Sequence, residues 1–235
     1  KIQSKEDGSL IKVYYYNDEW RVATNGTINA YECDLEMPFT LGERKIDTFG
    51  KLFDIALDHS FGGQDFFNKL NKDETHLFEL CSPYNRIVVP YKNAQLFYLA
   101  SKDNETGAEA VHNLLIQRPK EYGMQSIEEI TEIASTLGYD EEGYVVVDKD
   151  LRRIKIKSPA YLAAHRLKGE GVVTTRKVLG MLLIGEQSEF LSYFPEYQEK
   201  FDEVQGALDS FIKTIEKDIE EAKKYSALSR KEFAQ

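Results

Sequence analysis

Residues 10–16 and 20–24 are runs of strand-forming apolar and aromatic types broken by single polar positions, and Asn17-Asp18-Glu19 joins them, so two early strands are predicted. Phe49, Leu52, Phe53, Ala56 and Leu57 keep helical spacing and predict a helix over 49–59, broken by FGGQD at 61–65. HLFEL (76–80), RIVVPY (86–91) and AQLFYLA (94–100) read as three strands separated by the turn-rich SPYN and YKN, and KDNETG is a loop. Ser126-Ile127-Glu128-Glu129 is a capping box opening a helix that runs to about Leu137 and stops at Gly138. GYVVV and LRRIKIK, joined through DKD, predict a hairpin.

After Pro159 the pattern changes and no convincing strand follows. Tyr197, Phe201, Val204, Leu208, Phe211, Ile215, Ile219 and Ala222 step by three and four, which predicts a long amphipathic helix from Pro195. Acidic residues outnumber basic ones from Glu186 onward. A boundary is expected near residues 168–172. The predicted organisation is α+β, with antiparallel sheets in residues 1–168 and a small all-helical C-terminal domain in 169–235.

The length of 235 residues, 42% of them hydrophobic, allows a real core in one large domain or two smaller ones. No apolar run is long enough to cross a bilayer and no secretory signal pattern is present, so a cytoplasmic location without a membrane partner is expected. The chain opens on Lys1 and not on Met, which suggests an N-terminally incomplete sequence. Net charge is −10, which argues against coating of nucleic acid by the whole surface but not against a local basic groove. Cys33 and Cys81 are far apart and read as reduced thiols, and the four histidines show no zinc spacing.

Four short pieces in the strand-rich part carry candidate chemistry: KEDGS at 5–9, HLFELCSPYNRIVV at 76–89, EEGYVVV at 141–147 and RRIKIK at 152–157. Each has a plain structural reading. KEDGS is a polar turn, Glu79 a solvated face residue, Glu142 turn chemistry, and Lys155 with Lys157 the wet face of an edge strand. Their combination has a chemical logic. The period of two in LRRIKIK puts Arg153, Lys155 and Lys157 on one face, where a row of cations suits phosphates. Glu79 and Glu142 lie among apolar residues, and a partly buried carboxylate needs a ribose hydroxyl, a metal or a lysine beside it. A lysine in a dry site near other cations is a nucleophile toward phosphorus. The set describes covalent nucleotidyl transfer through a lysine.

The order K-x-D-G-S, F-E-x-x-x-P-x-N-R-I-V, E-G-Y-V and K-I-K resembles the covalent nucleotidyltransferases: RNA ligases, DNA ligases and capping enzymes. The wording KEDGSL, FELCSPYNRIVVPY, EGYVVV and KIKSPAYLAAHRL is most similar to the family of T-even phage RNA ligases that repair broken tRNA, from Lys5 to about Arg166, with a weaker echo in SRKEFA at 229–234. The resemblance implies an ATP-grasp-like ligase adenylylation domain followed by an all-helical domain. A DNA ligase or capping enzyme would instead carry a β-barrel after the K-I-K strand, against the helical pattern here.

By this resemblance Lys5 takes AMP from ATP, and Asp7 and Gly8 shape the loop that presents it. Glu79 contacts the ribose, Glu142 assists a catalytic Mg2+, and Lys155 and Lys157 touch the AMP phosphate and the leaving group. The implied partners are RNA ends bearing a 5′-phosphate and a 3′-hydroxyl, with tRNA among them, in a host cytoplasm if the source is a phage. Oligomeric state is not implied. The chain departs from the pattern twice. Asn25 stands before Gly26 where the family has a basic residue, and only four residues precede Lys5 where the family has a substantial segment with basic residues. On that reading the first step would be weak. The alternative is a catalytically incomplete RNA- or nucleotide-binding fragment that keeps the pocket.

Overall fold

The computed structural model describes residues 1–61, 64–123, 126–169 and 172–224. Along the chain the elements are β1 (Ile2–Ser4), β2 (Ser9–Tyr16), β3 (Glu19–Ala23), β4 (Asp34–Leu41), β5 (Arg44–Thr48), α1 (Phe49–Phe61), β6 (Glu74–Cys81), β7 (Gln95–Asp103), β8 (Glu109–Ala110) and β9 (Glu121–Tyr122). Then follow α2 (Ile127–Ser135), β10 (Gly143–Val147), β11 (Arg153–Lys157), α3 (Pro159–Lys168), α4 (Thr175–Ile184), α5 (Gln187–Tyr193) and α6 (Gln198–Lys223). Two compact units divide between Leu167 and Lys168.

The first unit is α+β with antiparallel sheets. One sheet has the order β11-β10-β1-β9, a second β3-β2-β6-β7-β8, and β4 and β5 form a two-stranded ribbon. The β2–β3 hairpin turns through Asn17 and Asp18, with φ of 50° and 60°. These residue types tolerate the left-handed region that a two-residue hairpin turn needs. Alternation then sets the faces. Ile11, Val13, Phe78, Leu80, Leu96 and Tyr98 of the second sheet are buried in one core with Leu52, Phe53 and Ala56 of α1. Each large side chain removed from water there contributes about 1.5–3 kcal/mol. A smaller core holds Ile2, Tyr144, Ile130 and Ala134, fixing α2 against the first sheet.

The capping box of α2 is present: Ser126 Oγ accepts from Glu129 N–H, and Glu129 accepts from Ser126 N–H. The helix ends at Ser135, earlier than the spacing predicts, because Thr136 turns its N–H and hydroxyl back onto the Ile133 carbonyl. RIVVPY is not a strand. Its Val88 and Val89 N–H groups, 2.8 and 2.7 Å from Asp7 Oδ2, are committed to that carboxylate and not to a ladder. The very short β1, β8 and β9 and the largely exposed β4–β5 ribbon carry no clear apolar alternation by which a sequence pattern would reveal them. Within FGGQD, Gly62 and Gly63 lie outside the described residues, as does SRKEFA.

The second unit is helical where it is described. Thr174 caps α4 by accepting from Lys177 N–H, and Gly185 ends it at φ 78°. Phe190, Phe194, Tyr197 and Phe201 are buried, with the Phe190 and Phe201 rings 5.5 Å apart. On α6 the apolar stripe is buried at Phe201 and Val204, while Phe211, Ile215 and Ile219 are exposed. Among the described residues no helix is long and apolar enough to cross a membrane.

Candidate active site

β1 belongs to the first sheet and β2 to the second, so the link from Lys5 to Gly8 joins the two sheets directly. A cleft of about 710 Å³ lies between them. Lys5, Gly8, Glu79, Asn25, Arg153 and Lys155 are among its lining residues. Lys5 also faces a smaller cavity of about 270 Å³, together with Glu6, Tyr91 and Glu142.

The Lys5 main chain is anchored by its N–H on the Gly143 carbonyl at 2.8 Å. Its ammonium donates to Glu142 Oε2 at 2.7 Å, and Lys157 donates to Oε1 of the same carboxylate at 2.8 Å. Glu142 is 3% exposed, and the two ammonium groups that face it offset the cost of burying its carboxylate. β10 and β11 pair Gly143 with Lys157 and Val145 with Lys155, which fixes both lysines relative to Glu142 and the cleft. Gly143 has φ 132°, and a Cβ there would lie 2.1 Å from the Ile156 carbonyl oxygen, so only glycine lets the two strands approach.

Asp7 is 2% exposed and is a structural hub. Oδ2 accepts from Val88 and Val89, and Oδ1 accepts from the Tyr161 hydroxyl at 2.7 Å. Burial, with the Asp7 carboxylate beside it, holds the Tyr161 phenol above its ordinary value, so the hydroxyl stays a donor. Lys157 Nζ lies 5.1 Å from the centre of the Tyr161 ring. The main-chain N–H of Asp7 donates to Tyr91, whose hydroxyl donates to Glu6. Asn85, in the SPYN turn, donates to Ser9 and to the Leu80 carbonyl. Gly8 packs so closely on β6 that a Cβ would meet the Leu80 oxygen at 2.4 Å.

Burial pushes the Glu79 carboxyl up to about 7; Lys5 opposes this and Glu142 adds to it. Glu79 opposes Leu10 in the β2–β6 register, which aims it into the cleft.

The structure thus gathers Lys5, Glu142 and Lys157 into one ion cluster and places Lys5, Gly8, Glu79 and Lys155 on the cleft. Asp7 stands behind them as a brace. Sequence reasoning misses Tyr161, Tyr91 and Asn85 as site residues, although all three fall within the quoted motif wording. A tyrosine four positions after Lys157, at the start of a helix, is the signal that could have found the first.

A family model described as RNA ligase, of the T4 type, matches residues 1–161, and the chain belongs to that family. A protein of Autographa californica nuclear polyhedrosis virus, named for polynucleotide kinase and RNA ligase together, is 35% identical over 219 residues, covering 90% of this chain and 30% of its own length. The protein of Rhodothermus phage RM378 named RNA ligase is 27% identical over 265 residues, covering 94% of this chain and 59% of its own. The chain therefore spans less than two thirds of either relative. A solved Naegleria gruberi RNA ligase variant with ATP and Mn matches with a TM-score of 0.48 at 15% identity, over 70% of this chain and 50% of that one.

Proposed function

We propose that this chain is the nucleotidyltransferase part of an ATP-dependent RNA ligase that joins 5′-phosphate and 3′-hydroxyl RNA ends in RNA repair, with tRNA as a substrate, through AMP carried on Lys5. The observation that supports this most is the Lys5–Glu142–Lys157 cluster beside the cleft, in a chain of the RNA ligase family. Residues 1–168 would carry the chemistry and 169–235 would form a separate helical domain.

In the first step the Lys5 amine attacks the α-phosphorus of ATP. An N–P bond forms while the bond from that phosphorus to the pyrophosphate oxygen breaks, and pyrophosphate leaves. The ammonium must first give up a proton, and Glu142 Oε2, 2.7 Å away, would accept it. AMP then passes to the 5′-phosphate of one RNA end, and the 3′-hydroxyl of the other displaces it. In-line displacement at phosphorus leaves the protein to position groups and neutralise charge. Glu79 would contact the ribose, Lys155 and Lys157 the phosphates, and Asp7 and Gly8 would hold the Lys5 loop.

Mg2+ would be held by Glu142. A buried carboxylate is the kind of oxygen donor such an ion takes, usually one or two per site. Each Glu142 oxygen has a second lone pair beyond its lysine contact. When bound, the metal would supply charge neutralisation on the phosphates.

The test is incubation with α-labelled ATP and Mg2+ followed by peptide mapping. AMP is expected on Lys5 and is expected to vanish in Lys5→Met. Label on another lysine, or unchanged label in Lys5→Met, would overturn the proposal.

A further inference from the structure

We infer that Lys12 is a phosphate-binding residue of the cleft, its ammonium carried at the cleft mouth by Asn25. This rests on the nucleotide reading above. Leu10 and Glu79 are opposed across β2 and β6 and both line the cleft. Strand alternation places the next pair on that face at Lys12 and Leu77. The Lys12 ammonium donates to Asn25 Oδ1 at 3.3 Å, and Asn25 itself lines the cleft.

What distinguishes Lys12 is its charge state among neighbours. Lys5 pairs with Glu142, which it shares with Lys157, and Arg153 pairs with Glu109. Lys12 and Lys155 have no carboxylate within 4 Å among the described residues. Lys155 comes from β11 of one sheet and Lys12 from β2 of the other, so the two cations come from different sheets. A chain of net charge −10 repels phosphates as a whole, and such local cations are what attract them. A neutral amide orients the Lys12 ammonium without cancelling it, leaving donors for phosphoryl oxygens.

Phosphoryl oxygens reach such a cleft from ATP or from an RNA 5′-phosphate, and equilibrium binding separates the two. The full chain in Mg2+ buffer is titrated with α,β-methylene-ATP, with adenosine, and with one RNA oligonucleotide bearing either a 5′-phosphate or a 5′-hydroxyl. Lys12→Met keeps the stem and removes the charge. It is expected to weaken at least one phosphate-bearing probe about tenfold, the size of one charge-assisted hydrogen bond, while adenosine and the 5′-hydroxyl RNA are unchanged. Loss confined to the ATP analogue assigns Lys12 to the triphosphate, and loss confined to the 5′-phosphate RNA assigns it to the RNA end. Lys12→Arg is expected to bind as wild type. Wild-type affinity of Lys12→Met for both phosphate probes would overturn the inference and leave the nucleotide reading standing. Failure of the unsubstituted chain to bind any probe would overturn both. Equal weakening of adenosine would reduce Lys12 to a structural role and also overturn it.

Discussion

The hydroxyl of Tyr161 donates to Asp7 at 2.7 Å across 154 positions of sequence. That bond joins the start of α3 to the loop that presents Lys5, and Asp7 in turn holds the segment at Val88 and Val89. Tyr161→Phe should therefore leave a buried carboxylate with one donor fewer, at a cost of about 1–3 kcal/mol. The expected result is a lower melting temperature together with slower adduct formation at Lys5. A variant with wild-type melting and wild-type rate would show that the bond braces nothing.

Glu142→Gln keeps the shape of the side chain and removes the charge that two ammonium groups share. Adduct formation is expected to fall on the order of a hundredfold or more, the range for loss of a general base. Single-turnover rates with labelled ATP measure it, with circular dichroism to show that the fold persists. A rate near wild type would remove Glu142 from the chemistry.

Glu79 supplies a pH dependence whose sign is fixed by burial. Its native value of about 7 lies above its ordinary value of 4.5, so between those values the folded chain keeps a proton that the unfolded chain releases. This contribution to stability is present below the ordinary value and is lost as pH rises to about 7. Glu79→Gln stays neutral throughout. The difference in melting temperature between variant and wild type should therefore grow in the variant's favour as pH rises toward 7, then level off. A constant difference across that window would show that the Glu79 carboxyl is not held protonated.

Gly143→Ala forces a side chain into φ 132° and against the Ile156 oxygen. Backbone strain of this kind alone costs about 1–3 kcal/mol, and the clash with β11 adds to it. Thermal denaturation should show a clear loss of stability. Soluble protein melting with the wild type would mean that β10 and β11 can separate locally at no cost.

Much of this architecture is legible in the order of residues. The β2–β3 and β10–β11 hairpins, β6, β7 and α1 are visible there because their apolar periods are long and their turns use Asn, Asp or Gly. The α2 capping box is visible because its chemistry is local. What escapes depends on distant partners. RIVVPY has the composition of a strand, but its N–H groups answer to Asp7, more than eighty positions away. Tyr91 looks like a core aromatic because nothing nearby in sequence marks a hydroxyl that will face a carboxylate. The pairing of both Lys5 and Lys157 with Glu142 is equally unreadable. Their presence is plain in the chain, whereas their meeting depends on the register of β10 against β1 and β11.

β1 is only three residues long, and Ile2 alone carries its burial in the small core beneath α2. Its register sets Ile2 against Val146 and Ser4 against Tyr144. Because strand faces alternate, inserting or deleting one residue between Ile2 and Lys5 would reverse the lysine's direction while every contact of β2 stayed intact. The spacing from that one isoleucine to the lysine therefore works as a ruler. A designer could vary the surface of either sheet widely, yet would have to copy those few positions unchanged.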